Sequence, residues 1–235
     1  MISSDLLFHY TRNLSTLKAI LKSGELWPCY SAQYGWAGGD FAIPATCFCD
    51  IPKNQIKDHV AYYGSYGLGM SKQWAKDYKV SPVFYLDVDS YFHNTIENKL
   101  YDMKNGNEVS DIFYRLLYYV KKVCGSDYDF KKTDEMPTIN RIRKFYDERE
   151  WRYVPKIDYK KFVLFGNYRE TKPQFNNEKI KEYGAHFKPK DVEYIIIKSE
   201  SERKNIIAYI EKTFPNSSAL LISKIESIEN LMKNG

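Results

Sequence analysis

The run Asp147-Glu148-Arg149-Glu150-Trp151-Arg152-Tyr153 places two carboxylates and a guanidinium at alternate positions. Alternate residues of an extended chain share a face, so Glu148, Glu150 and Arg152 line one side of a strand and Arg149, Trp151 and Tyr153 the other. Such a face is poor core material, because buried unpaired charge is costly. Two readings stand. Either the face is exposed and its Glu and Arg pair across the pleat with little energetic effect, or it borders a cleft where a carboxylate stabilises a developing positive charge. His9 and Thr11 form a second candidate on an opening strand. The His9 ring either satisfies a neighbouring carbonyl or donates a hydrogen bond to a ribose hydroxyl or an amide.

The remaining chemistry-bearing residues support less. His59 falls on an apolar helix face and reads as packed core, and His93 and His186 sit in loop-like sequence and receive no role. Cys47 and Cys49 could join His59 around a metal, but no second paired ligand set exists, so no metal is expected. Phosphate-loop, dinucleotide, zinc-helix and nucleophile-elbow motifs are absent. A magnesium nuclease on Glu148, Glu150 and Asp87 would need a lysine that is not near them in sequence.

The elements that must hold these residues follow from periodicity. Residues 6–11 read as a strand, and Asn13 or Ser15 can cap a short helix that Gly24 ends. An aromatic, glycine-bearing loop is expected from Trp27 to Pro44. A strand over 46–49 follows, and Asp50 with Pro52 opens a helix carrying Ile56, His59, Val60 and Tyr63. Tyr66 to Ser71 reads as a glycine-punctuated strand, Ser71 as the cap of a helix through Trp74, and residues 83–88 as a strand. Val109, Ile112, Phe113, Leu116, Leu117, Val120 and Cys124 mark one helix, with Lys121 and Lys122 at its end. Strands are expected at 148–154, 162–165 and 191–197. Ser199-x-x-Glu202 is a capping box before Ile206 and Ile210, and a final strand over 219–222 leads into a short helix. Strands first, helices interspersed and strands again describe an α+β fold, with a mixed or antiparallel β core and flanking helices. Residues 1–235 read as a single domain, and residues 91–145 as a helical insertion with too little core of its own.

Composition fits a soluble, cytoplasmic protein. Of 235 residues, 43% are hydrophobic and 28% charged, which excludes intrinsic disorder. The 35 Lys and Arg exceed the 30 Asp and Glu by 5, a mild excess dispersed among acids rather than a nucleic-acid patch. No apolar run is long enough to cross a membrane, and the start lacks a secretion signal. Four cysteines in a chain of this size do not make a disulfide framework.

Three stretches together resemble the AbiGi family of bacterial abortive-infection proteins: Cys47-Phe48-Cys49-Asp50-Ile51-Pro52 with His59, the run from Tyr63 to Trp74, and Asp147 to Tyr153. With Phe8-His9-Tyr10-Thr11 the likeness spans the first two thirds of the chain. It implies a role in phage resistance beside a partner gene, in a pair where this family is labelled the antitoxin. The same order is similar to a divergent ADP-ribosyltransferase core, although the usual Tyr of its middle strand falls near Gly69 here. That likeness implies an ADP-ribosyltransferase-like fold with NAD as substrate and no metal. Glu150 would stabilise the oxocarbenium-like ribose, and Glu148 would orient the acceptor. His9 with Thr11 would hold the adenosine-side ribose, Tyr34 or Trp36 would cover the nicotinamide, and Tyr66 or Ser71 is the nearest match on the middle strand. The acceptor is left open between a protein, a nucleic acid and a small molecule. The alternative is a non-catalytic antitoxin or sensor that binds a protein from its own operon. The catalytic reading expects Glu150→Gln to abolish transfer from NAD with the melting temperature nearly unchanged.

Overall fold

The Leu-Leu-Phe-His-Tyr-Thr run forms β1 (Leu6–Thr11), and Gly24 ends α1 (Leu14–Ser23) by returning its N–H to the carbonyls of Ile20 and Leu21. The structure is a computed structural model that describes residues 4–33, 35–36, 39–52, 55–126, 142–165 and 178–233. After β2 (Glu25–Leu26), the stretch expected to be a loop contributes β3 (Cys29–Gln33) and the start of β4 (Phe41–Cys49). These two pair antiparallel from Cys29 opposite Ala45 to Gln33 opposite Phe41. Gly35 and Gly39 lie outside both strands; the paired residues gain ladder hydrogen bonds and bury Phe41 and Ile43 completely.

The next helix starts later than Pro52 suggests, as α2 (Lys57–Tyr63). It leads to β5 (Tyr66–Ser71) and α3 (Lys72–Asp77), where the Ser71 hydroxyl accepts from the Trp74 N–H at 3.1 Å. β6 (Ser81–Pro82), β7 (Phe84–Leu86), α4 (Tyr91–Lys104) and α5 (Asp111–Leu117) follow. The helix expected to run on to Cys124 stops at Leu117. The aromatic and β-branched Tyr118-Tyr119-Val120 segment leaves it and becomes β8 (Val120–Lys122), parallel to β7 with Val120 opposite Phe84. Then come β9 (Cys124–Ser126), β10 (Ile142–Lys144) antiparallel to it, a single turn of 3-10 helix over Phe145–Glu148, and β11 (Glu150–Tyr153).

In the last third, Tyr159–Phe162 forms α6, so the strand expected at 162–165 shortens to β12 (Leu164–Phe165). α7 (Glu178–Lys181), β13 (Ala185–His186) and β14 (Val192–Ile197) lead to α8 (Arg203–Thr213). The capping box forms as expected, with Ser199 N–H donating to Glu202. The strand expected at 219–222 is instead a helix, α9 (Ser218–Ile222), because Ala219, Leu220 and Leu221 favour helix. The last strand is β15 (Ile225–Ser227), before α10 (Ile228–Lys233).

The fold is α+β with a mainly antiparallel sheet. The described residues divide into two compact units, one drawn from 1–26, 46–81 and 184–235, the other from 27–45 and 82–183. In the first, the strand order is β15-β14-β5-β1-β4. Only β14 and β15 run parallel there. Its core gathers Phe8, Cys49, Ile56, Val60 and Ile196. The second has its own core of Trp36, Phe41, Ile96, Leu100, Phe113 and Leu117. Burial of each such side chain contributes about 1.5–3 kcal/mol. The helical stretch after residue 91 therefore buries its apolar face against the β3–β4 hairpin's residues within that unit. No described helix is long and apolar enough to cross a membrane.

Two glycines test the packing. Gly64 has φ 114°, and a Cβ there would lie 2.3 Å from the Thr11 carbonyl oxygen; Gly106 has φ 80° with nothing within 4 Å. Gly106→Ala is expected to cost about 1–2 kcal/mol from its left-handed backbone alone. Gly64→Ala should cost clearly more, because the backbone of residues 11 and 12 must also move. Urea unfolding of the two variants measures the difference, and equal costs would contradict this packing.

Candidate functional site

β11 begins at Glu150, not Glu148. Glu148 closes the preceding 3-10 turn, and Arg149 between the two glutamates has φ 45°. The alternation expected of a strand therefore holds for Glu150 and Arg152 but not for Glu148. A left-handed residue redirects the chain, at a cost on the order of 1–2 kcal/mol, and the two carboxylates still converge. Nor is the face exposed: Glu148, Glu150 and Arg152 are 4%, 6% and 0% accessible.

What they converge on is Lys121, from β8. Its ammonium lies 2.5 Å from Glu148 Oε2 and 2.5 Å from Glu150 Oε2. The second Glu150 oxygen, Oε1, accepts from Arg152 Nε at 2.6 Å. Arg152 spends its other nitrogens on the Tyr118 carbonyl at 2.8 Å, the Val120 carbonyl at 3.5 Å and Gln33 Oε1 at 3.4 Å. Two cations and two anions are thus balanced, and the guanidinium ties β3, β8 and β11 together. Burial pushes the Glu150 carboxyl up, but Arg152 and Lys121 outweigh it and hold it well below the usual carboxylate range. The Glu150 N–H donates to the Tyr85 hydroxyl at 2.7 Å. Beneath Lys121, the Phe145 ring lies 5.2 Å from the ammonium. Gly125 leaves room for that ring, since a Cβ there would come within 2.5 Å of it.

Trp36 belongs to the same unit and is buried. It stacks on His93 with centroids 5.1 Å apart, and the Lys122 ammonium stands 5.1 Å from its ring centre. Lys122 also donates to the Gly35 carbonyl. His93 is 3.3 Å from Glu97. Burial first, then Lys122, lowers the His93 pKa. His93 thus lies on a helix and helps to fix Trp36, where its sequence suggested a loop. Tyr34 lies outside the described residues.

The first unit holds His9, Thr11, Tyr66 and Ser71. Thr11 stands opposite Tyr66 on the antiparallel β1–β5 pair, so His9, Thr11 and Tyr66 share one face, while Ser71 lies at the far end, opposite Leu6. His9 Nδ1 is 2.9 Å from the Cys47 carbonyl, which can only accept, so Nδ1 carries the proton. Burial lowers the His9 pKa against the pull of that carbonyl, favouring the neutral ring. The Tyr66 hydroxyl donates to Glu202 at 2.7 Å; burial and then Glu202 raise its pKa to about 12. His59 packs its ring against Tyr63 and Tyr10. Among the described residues, no group of three or more His, Cys, Asp or Glu is arranged to hold a metal ion.

Sequence reasoning missed Lys121, Gln33 and Tyr85. One signal for a cation existed: two glutamates beside one arginine leave a negative charge that a buried set must balance. The position of that cation was hidden, because Val120 and Cys124 continue a helical spacing through Lys121.

Glu150→Gln leaves the two buried cations under-compensated and should lose about 3–5 kcal/mol. That replaces the sequence-based expectation of an unchanged melting temperature. The sign with pH follows from linkage. A carboxylate with a depressed folded-state pKa contributes fully above its unfolded value, about 4.3, and loses that contribution as pH falls through the folded value. The stability gap between the native chain and Glu150→Gln should therefore stay constant above about pH 5 and shrink below about pH 4. Denaturant unfolding at several pH values measures it; a gap that widens in acid would contradict the ion set.

Residues 39–198, which carry most of these side chains, match the family model described as "Putative abortive phage resistance protein AbiGi, antitoxin". A protein named "Abortive phage resistance protein AbiGi", from Lactococcus lactis subsp. cremoris, is 31% identical over 216 residues, covering 79% of this chain and 86% of the relative. No solved structure matches. A family model spanning more than half the chain and a relative aligned over most of both sequences place this chain in the AbiGi family.

Proposed function

We propose that this chain serves abortive phage resistance in the cytoplasm by binding a partner protein of its own operon, the antitoxin role that the family description names. The observation that supports it is the buried, charge-balanced ion set. Both oxygens of Glu150, and one of Glu148, are engaged by the chain's own Lys121 and Arg152. A balanced, buried set holds a fold together without a ligand, which suits a binding protein better than a site awaiting substrate. Co-expression with the neighbouring gene product tests this. The expected result is a complex that survives size-exclusion chromatography and relieves the partner's growth inhibition. Separate elution with inhibition undiminished would sink the reading.

A second reading keeps an ADP-ribosyltransferase-like activity with NAD as substrate. The observation favouring it is that Glu150 is held ionised and oriented, as a group that stabilises a cationic ribose must be. His9, neutral and with its Nδ1 proton directed at the Cys47 carbonyl, would accept from a ribose hydroxyl at Nε2. Glu148 would orient the acceptor. Incubating the pure chain with labelled NAD discriminates the two readings: nicotinamide release above a Glu150→Gln control supports the second, and none supports the first.

A further inference from the structure

Resting on the partner-binding reading, we propose that the solvent face of α4 is the surface on which the operon partner docks. The partner takes it in a groove lined by apolar and uncharged hydrogen-bonding groups. α4 buries His93, Ile96 and Leu100 on one side. Its opposite side carries Tyr91, Asn94, Thr95, Asn98 and Tyr101, spaced i, i+3, i+4, i+7 and i+10 and all exposed. Tyr91 is 93% and Tyr101 63% accessible.

Two properties of this stripe need a cause other than the fold. The first is its lack of charge. The solvent face of a packed helix is ordinarily charged or polar, and 28% of this chain is Asp, Glu, Lys or Arg. None of the five stripe residues is. Beside them, Lys99 and Asp102 pair with each other at 2.8 Å. The second is helix propensity. Tyr, Asn and Thr are weaker helix formers than Ala, Glu, Lys or Arg, and exposed positions are where a strong former costs no packing. A local rule broken at five positions, with no packing gained, marks a surface kept for something other than the fold. Tyrosine enriched and charge depleted is the composition of a protein–protein interface core.

The stripe also limits its occupant. Nucleic acid would ask for cations against its phosphates, and none of the five residues supplies one. A second copy meeting the stripe face to face would bury mainly the two tyrosines. At 150–250 Å² for a whole aromatic side chain that is roughly 300 Å² a side, against about 800 Å² a side for a stable interface. A groove that wraps the helix takes in Asn94, Thr95 and Asn98 as well, and Phe92 on the flank, which is 45% exposed. Tyr91 and Tyr101 stand about 15 Å apart along the axis, so the groove must offer two aromatic pockets at that spacing with amide partners between them.

Calorimetric titration of the purified neighbouring gene product into the full chain tests this, comparing the native protein with Tyr91→Ala/Tyr101→Ala, Asn98→Arg and Leu220→Ala. Ala and Arg favour helix more than the stripe residues they replace, so a weaker complex does not reflect a lost helix, and melting temperatures verify it. The tyrosine pair should weaken binding about a hundredfold or more. Asn98→Arg should weaken it about tenfold or more by bringing an unmatched cation into an uncharged groove. Leu220→Ala, exposed on α9 in the other unit, should bind as the native chain does. Folded stripe variants that bind like the native chain, or a loss equalled by Leu220→Ala, overturn the α4 surface and leave the partner reading standing. A native chain that elutes alone as a dimer, and as a monomer once the stripe is substituted, overturns it too, because the occupant is then a second copy. No complex with the native chain overturns the partner reading, and the α4 surface falls with it.

Discussion

The second unit depends on one electrostatic constraint: two glutamates, a lysine and an arginine are buried together and must neutralise one another. Taking any of these ions out of water costs several kcal/mol, repaid only by close, well-directed partners. Much of the local structure serves that requirement. Arg149 adopts a left-handed backbone so that Glu148 and Glu150 can meet one ammonium. The chain leaves its helix at Leu117 so that β8 can deliver Lys121 from the side. Gln33 and the carbonyls of Tyr118 and Val120 absorb the guanidinium hydrogens that Glu150 does not. A hydrophobic replacement of the whole set could equal its stability, so the charges specify an arrangement more than they strengthen it.

The first unit is organised by close packing instead. β1 and β5 pair along their whole length, and Gly67 and Gly69 leave room for the His9 carbonyl and the Phe8 ring, which a Cβ would meet at 2.6 and 2.8 Å. The Phe8 and Tyr10 face joins Val60, Ile196 and Ile228 in the core. The opposite face carries His9, Thr11 and Tyr66. His9 is thereby held by its own neighbour on β4, in the tautomer that the Cys47 carbonyl dictates. Each unit orients its own candidates by local means: hydrogen bonds to backbone in one, ion pairs in the other.

The sequence made some of this legible and hid the rest for identifiable reasons. Short-range signals held: the strand at residues 6–11, the Ser71 cap, the Ser199 capping box and the buried 192–197 strand all depend on neighbours a few positions away. Long-range partnerships did not show. The aromatic stretch from Trp27 to Pro44 looked like a loop because its pairing partner is itself, folded back through a turn. Val120 and Cys124 fit a helical period and a strand equally well, and tertiary pairing with β7 decided between them. At the candidate site, Glu150 and Arg152 were legible as one face, yet the face was judged by its charge to be exposed or in a cleft. Its burial depends on Lys121, which lies 29 positions before Glu150.

That distance matters for how such motifs are read. A glutamate pair near the start of a late strand suggests chemistry because isolated carboxylates are expensive to bury. Once a lysine and an arginine from elsewhere complete the set, the same residues are sufficient as structure, and their presence alone does not require turnover.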